Sequence, residues 1–272
     1  MCRAYSRTTT KNRVWTYPTS CGRPKCFASA AHRQFLPTGS GKSSGEYATL
    51  NLGDHVGDNP DIVAENRRIV DEAIGRKVVW MHQTHSNRVV QVRPGHTNAP
   101  VEADGIVIDT REFAELGLTT PAAGVMVADC VPLLLASDDG LLVAAVHAGR
   151  AGMVTGIVRE AVLALRKLGA QTGKIHAAIG PAICGACYEV PEAMRAHVTG
   201  HVPAAWSRTR MGSPGLDLQA GVISQLKSAG ARITFASKRC TFEDRNLYSY
   251  RRDAHTGRFA GIVVGKREVP AG

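Results

Sequence analysis

The sequence predicts an α+β fold built as one domain. Short apolar runs of strand length follow one another with no helix between them. The few segments with 3.6-residue periodicity stand apart from these runs, so strict alternation of strand and helix is absent. A chain of 272 residues, 44% of them hydrophobic, has enough apolar material for one large buried core. No internal repeat is visible.

The first 36 residues lack hydrophobic periodicity and are rich in Ser, Thr, Arg and Lys, the composition of a disordered extension. Residues 37–272 are read as the domain. Its globular pattern begins at Tyr47. Asn59 and Pro60 open a helix as N-cap and first helical residue. Ile62, Val63, Ile69, Val70 and Ile74 give it an apolar face, and Gly75 ends it. Strands follow at Lys77–Met81, Arg88–Val92, Gly105–Asp109, Gly124–Ala128, Pro132–Ala136 and Leu141–His147. Gly152–Leu168 reads as a helix, Ile175–Ile179 as a buried strand, Leu216–Ala229 as a helix and Phe259–Val264 as a last strand.

The net charge of +10 is a property of the extension. Residues 1–45 hold Arg3, Arg7, Lys11, Arg13, Arg23, Lys25, Arg33 and Lys42 and no acid, and the remaining Lys and Arg nearly balance the 23 Asp and Glu. The body therefore lacks the basic surface of a nucleic-acid binder, and its aromatic residues are too sparse for base stacking. With no apolar run of 18 residues and no apolar segment near the N-terminus, a cytoplasmic chain that neither spans a membrane nor is secreted is expected.

Of the seven cysteines, Cys2, Cys21 and Cys26 lie in the extension, and Cys130, Cys184, Cys187 and Cys240 in the body. A disulfide framework does not suit such a chain, so the cysteines read as reduced core residues or metal ligands. Thr38–Ser43 imitates a phosphate-binding loop. It has Leu36 where the motif needs a small residue, Ala31–Phe35 before it makes a poor strand, and Ser44–Tyr47 after it a poor helix start. An exposed turn is the better reading.

Three residues stand where apolar runs end: His85, Cys130 and His147. Strand ends are where side chains leave a sheet and can converge. Two imidazoles and a thiolate suit zinc, and three protein ligands leave a fourth position open. The spacings match no short metal motif, so buried, hydrogen-bonded His and Cys remain the alternative. Cys184-Gly185-Ala186-Cys187 is a C-x-x-C without a second pair or a thioredoxin-like context, and reads as packing.

An ordered set of segments resembles the YfiH-type laccase-domain family. It comprises Asn51-Leu52-Gly53-Asp54-His55-Val56-Gly57-Asp58, Glu65-Asn66-Arg67, Gln83-Thr84-His85, Ala103-Asp104-Gly105, Ala128-Asp129-Cys130-Val131-Pro132 and His147-Ala148-Gly149. Ile179-Gly180-Pro181-Ala182-Ile183, Cys187-Tyr188-Glu189-Val190, Tyr248-Ser249-Tyr250-Arg251-Arg252-Asp253 and Thr256-Gly257-Arg258 complete it. The resemblance implies an αββα sandwich with one zinc ion held by His85, Cys130 and His147. It also implies purine nucleoside phosphorylase activity, with adenosine deaminase and methylthioadenosine phosphorylase activities. The alternatives are an amidase that edits serine-containing peptidoglycan precursor peptides and a non-enzymatic metal-binding protein. A multicopper oxidase would need His-x-His pairs, which the chain lacks.

Under the purine reading, His55, Asp129, Arg150 and Arg251 are candidates for base or phosphate roles. A hydrogen-bonding turn residue is the plainer account of Asp129, and a structural ion pair that of Arg251 and Arg252. The family often has Trp-Arg-Gly after its His-Ala-Gly, whereas Arg150 and Ala151 follow Gly149 here, so a phosphate-binding Arg150 would act from a neighbouring position. The expected partners are a purine nucleoside and phosphate, acting on a monomer or weak homodimer.

Overall fold

The computed structural model describes residues 32–36, 41–96 and 100–266. Two sheets form its centre. The larger has six strands in the order Arg232–Ala236, Ile175–Ile179, Val131–Ser137, Leu142–Ala148, Gly105–Asp109 and Val89–Val92. The smaller has four: His32–Leu36, Phe259–Val264, Ala122–Val127 and Val78–Val79.

Period-two alternation sends each strand's side chains to two different cores, so the central strands are apolar on both faces. Leu134, Ala136, Val143 and Ala145 of the large sheet meet Val125, Val127, Phe259 and Val263 of the small one. Leu133, Leu135, Ala144 and Val146 face the opposite way, against Ile157, Val158, Ala161 and Leu165 of the helix Ile157–Lys167 and Val222 and Leu226 of the helix Leu218–Ser228. On the far side of the small sheet, Met126, Ala260 and Ile262 share a core with Val70 of the helix Pro60–Ile74. The layers run helix, sheet, sheet, helix in a single mixed α/β domain.

Local signals hold at the first helix. The Asn59 side chain accepts from the amides of Asp61 and Ile62, and Gly75 closes the helix with φ 72°. Elsewhere the boundaries move. Lys77–Met81 divides into Val78–Val79 and Met81–His82, which join different sheets. The segment Gly152–Leu168 is two helices, Arg150–Thr155 and Ile157–Lys167, broken at Gly156, whose φ of 94° ends the first. Leu216 belongs to a strand, and the following helix starts at Leu218 with the Asp217 side chain as its cap.

Several elements were not expected, among them one helix and two sheet-edge strands. Helix Glu192–His201 buries only Val198, too little for a periodic signature. Strand Arg232–Ala236 is a large-sheet edge with exposed Arg232 and Thr234 flanking its pattern. Strand His32–Leu36, inside the segment read as a disordered extension, pairs antiparallel with Phe259–Val264. Backbone ladder bonds at a sheet edge leave little trace in side-chain pattern. The remainder of that segment lies outside the described residues.

Of the phosphate-loop imitation, residues 38–40 lie outside the described residues. The rest is not simply an exposed turn: Ser43 is buried, its hydroxyl donates to Asp58 at 2.6 Å, and the Lys42 amide donates to Asn66 at 2.7 Å.

Candidate active site

Cys130 immediately precedes the strand Val131–Ser137, and His147 lies near the end of its antiparallel neighbour. Val131 pairs with Ala148 and Pro132 with His147, so both residues stand at the same end of the two central strands of the large sheet. His85 comes from the loop after Met81–His82. Gln83 fastens that loop to the small sheet: its amide nitrogen donates to the Met126 carbonyl at 2.8 Å, and its oxygen accepts from the Met126 amide at 2.9 Å. The donor atoms of His85, Cys130 and His147 all lie within 4.8 Å of one another. The two rings meet edge to face, centroids 4.7 Å apart.

Asp104, with 0% exposure, organises two of the three. Its carboxylate accepts from His147 Nδ1 at 2.8 Å, from the His85 amide at 2.9 Å, from the Ser86 amide and hydroxyl at 2.7 Å each, and from the Thr84 amide and hydroxyl at 3.2 Å each. Burial opposes its charge, but the His147 and Ser86 bonds prevail and hold its pKa well below the usual carboxylate range. Because Asp104 takes Nδ1, His147 offers Nε2 to the cluster, the arrangement that orients histidine ligands of metals.

Burial raises the cost of ionising Cys130, yet the His147 charge and hydrogen bonds to His147 and His85 outweigh it and draw the thiol down to about 6. Burial likewise disfavours the His147 cation, but Cys130 and Asp104 push its pKa above the usual imidazole value. Such a thiolate is ready to bind a metal or to act as a nucleophile.

The residues present fit a metal. Two nitrogens and one sulfur form a donor set suited to zinc, with three protein ligands and room for a fourth. A Cβ at Gly149 would come within 2.9 Å of His85 Cδ2 and 3.1 Å of Cys130 Sγ, so only glycine leaves the cluster its space. Met126, which lines the same cavity, has its sulfur 3.5 Å from the Arg67 guanidinium.

The cluster opens into a cavity of about 510 Å³ that is also lined by His55, Asp129, Arg150, Tyr188, Arg251 and Arg258. All seven candidate residues from the sequence, His55, His85, Asp129, Cys130, His147, Arg150 and Arg251, thus line one cavity. Both Asp129 oxygens are already engaged. Thr241 Oγ1 and Ser249 Oγ donate to one at 2.5 and 2.7 Å, and the Arg251 amide to the other at 2.6 Å. His55 pairs loosely with Asp54 at 3.3 Å, and burial lowers its pKa. His85 and Asp129 have φ of 61° and 93°, left-handed values that cost a non-glycine residue about 1–3 kcal/mol.

Sequence reasoning passed over Asp104 as the tie between ligands, and Tyr188 and Arg258 as cavity residues. All three sit within quoted segments, but nothing in those segments tells which way their side chains point. Arg251 Cζ lies 4.8 Å from the centroid of the Tyr188 ring, and its Nη1 donates to the Glu189 carbonyl at 2.6 Å. Among the described residues, Arg150, Arg251 and Arg258 have no carboxylate within ion-pair distance.

The C-x-x-C read as packing is instead part of a second cluster. Cys184, Cys187, Cys240 and Glu243 bring their donor atoms within 4.8 Å of one another. None of them lines the cavity of the first cluster.

A purine nucleoside phosphorylase from Corynebacterium glutamicum is 44% identical over 238 residues, covering 86% of this chain and 94% of its own. One from Streptomyces coelicolor is 44% identical over 236 residues, covering 86% and 95%. The crystal structure of a Neisseria meningitidis protein described under DUF152 superposes with a TM-score of 0.80 at 30% identity, covering 93% of this chain and 99% of that one. The family model for the multi-copper polyphenol oxidoreductase laccases matches residues 33–266, from the edge strand of the small sheet to just beyond its neighbour, and with the four-layer fold and these relatives it establishes that the chain belongs to this YfiH-type laccase-domain family.

Proposed function

We propose that the protein is a zinc-dependent purine nucleoside phosphorylase that also deaminates adenosine and cleaves methylthioadenosine. The observation that carries this reading is the joint lining of the cavity. A two-histidine, one-cysteine cluster sits at one part of it, and three arginines without carboxylate partners face the same space. Uncompensated guanidinium groups next to a concave surface suit an anion.

Phosphorolysis joins a phosphate oxygen to ribose C1′ while the bond from C1′ to the purine nitrogen breaks, giving a free base and ribose 1-phosphate. Arg150 is the phosphate ligand in this reading, because Arg251 is anchored to the Glu189 carbonyl and Arg258 to the carbonyls of Thr256 and Gly257. Those two contribute positive potential from fixed positions. Tyr188, gripped by Arg251, offers an aromatic face to the purine. Asp129, next to Cys130, accepts from the Arg251 amide and from the Thr241 and Ser249 hydroxyls, so its role is positioning. His55, kept neutral by burial, can accept or donate a hydrogen bond at the base. His85, Cys130 and His147 hold the zinc, with Asp104 orienting His147. When bound, zinc supplies Lewis acidity in the cavity. In deamination, water replaces the amino group at purine C6 and ammonia leaves. This conversion needs no phosphate.

The test is the purified zinc-loaded chain with adenosine, with and without phosphate, followed by chromatography of adenine and inosine. Arg150→Ala is expected to lower phosphorolysis about tenfold or more and to spare deamination, since a charge-assisted bond is worth about 1.5–3 kcal/mol. Equal losses in both conversions would remove the phosphate role from Arg150. No purine turnover with zinc confirmed, and release of serine from a muramyl peptide instead, would establish the amidase reading. Copper in place of zinc in the native metal content would overturn the metal assignment.

A further inference from the structure

We propose that Cys184, Cys187, Cys240 and Glu243 form a second, structural metal site that takes zinc. The inference stands on this cluster alone and does not depend on the purine chemistry.

The local geometry has the form of a metal-binding knuckle. Cys184 and Cys187 flank a tight turn in which the amides of Cys187 and Tyr188 both donate to the Cys184 carbonyl, at 2.9 and 3.0 Å. The turn places both thiols on one side. Cys240 arrives from a separate loop, and the Cys184 amide donates to its sulfur at 3.3 Å. Amide-to-sulfur bonds of this kind stabilise thiolates around a metal. Cys187 Sγ lies 3.2 Å from Glu243 Oε1. Three sulfurs and one carboxylate oxygen make four ligands, the number a closed tetrahedral zinc site uses.

One feature argues against simple packing and another against a disulfide. Packed thiols need no carboxylate, yet Glu243 reaches in among them. A disulfide would use two of the sulfurs and leave the third beside it. Arg210 pairs with Glu243 at the rim, where its charge offsets part of the negative charge that three thiolates and a carboxylate carry beyond that of a divalent ion. On binding, the thiol protons pass to solvent and the ligands become thiolates.

The site would fasten two loops that build the cavity wall. One runs from Ala182 through Cys187 to Tyr188, which lines the cavity. The other carries Cys240 and then Thr241, whose hydroxyl holds Asp129. The loops already touch through an isolated bridge between Ala182 and Cys240 and a Thr241 amide bond of 3.1 Å to the Ala182 carbonyl. A metal at the four ligands would lock that junction and with it the placement of Tyr188 and Asp129.

The test is metal stoichiometry of the full chain, purified reduced, saturated with Zn2+ and desalted. Wild type is expected to carry two zinc ions, Cys187→Ser one, His147→Ala one, and the double variant none. One zinc in wild type that Cys187→Ser keeps and His147→Ala loses would overturn the second site. One zinc that Cys187→Ser loses and His147→Ala keeps would support it and sink the zinc assignment at the first cluster. Should Cys187→Ser fail to fold, Co2+ bound to His147→Ala gives the readout: a thiolate-to-cobalt charge-transfer band with the intensity of three thiolates is expected. Absence of that band, with a Cys184–Cys187 or Cys184–Cys240 disulfide found by peptide mass in the reduced preparation, would overturn the proposal.

Discussion

The two clusters share soft donors at similar separations, and differ in what surrounds them. His85, Cys130 and His147 stand at the end of the central strands, backed by the buried carboxylate of Asp104 and opening into a cavity with three arginines. Cys184, Cys187, Cys240 and Glu243 sit on two loops outside that cavity, with Arg210 at the rim. As metal sites, the first would leave a ligand position facing the cavity, and the second would close on itself. Donor identity therefore says that a metal can bind, and the surroundings say whether chemistry follows.

The largest effect that separates the clusters is expected from Asp104→Asn. It removes the charge that accepts six hydrogen bonds around the first cluster, in a fully buried place. Breaking such a network costs about 3–5 kcal/mol. Calorimetry should show a large drop in melting temperature, and metal analysis should show loss at the first cluster with the second retained. Because folding depresses the Asp104 pKa, its stabilisation is present above the ordinary carboxylate pKa and is lost as pH falls through the folded value. Acid-induced loss of stability should accordingly be reduced in the variant.

Gly149→Ala sharpens the contrast by steric means. The new methyl would press on His85 and Cys130 while the fold around it stays intact. Overpacking of this kind costs about 1–3 kcal/mol. Zinc affinity at the first cluster should fall at least tenfold by competitive chelator titration, with far-ultraviolet circular dichroism unchanged. Unaltered affinity would mean that the cluster does not need this space.

Alkylation tests the electrostatic difference. With metal removed, Cys130 ionises at about 6 and is a thiolate at neutral pH, and its reactivity falls as pH drops through that value. Burial and the Cys240 thiol raise Cys184, and burial and the Glu243 bond raise Cys187, so both stay protonated there. Peptide mapping after brief iodoacetamide treatment at neutral pH should find Cys130 modified first. Faster labelling of Cys187 would reverse the assignment of the reactive thiol.

The smallest effect belongs to Arg210→Ala. Its ion pair with Glu243 is exposed, and exposed pairs contribute about 0–1 kcal/mol. Melting temperature should shift little, with any weakening of metal binding confined to the second cluster.

The sequence by itself determined the mixed class, the helix between Asn59 and Gly75, most central strands and the three residues that converge as the first cluster. Those features leave periodic or local marks: caps, strand-length apolar runs and chemical type at strand ends. The YfiH-type signature added the four-layer arrangement, because an ordered set of segments records packing that periodicity cannot. Tertiary structure alone decided the rest. It split Val78–Val79 from Met81–His82 between two sheets and placed His32–Leu36 as an edge strand. It turned the Asp104 carboxylate toward two ligands from different segments. It also carried Cys240 and Glu243 to the C-x-x-C, which looks like packing in sequence because its partners lie more than 50 residues away. Contacts between distant segments depend on how sheets stack and loops return, and no local periodicity encodes that.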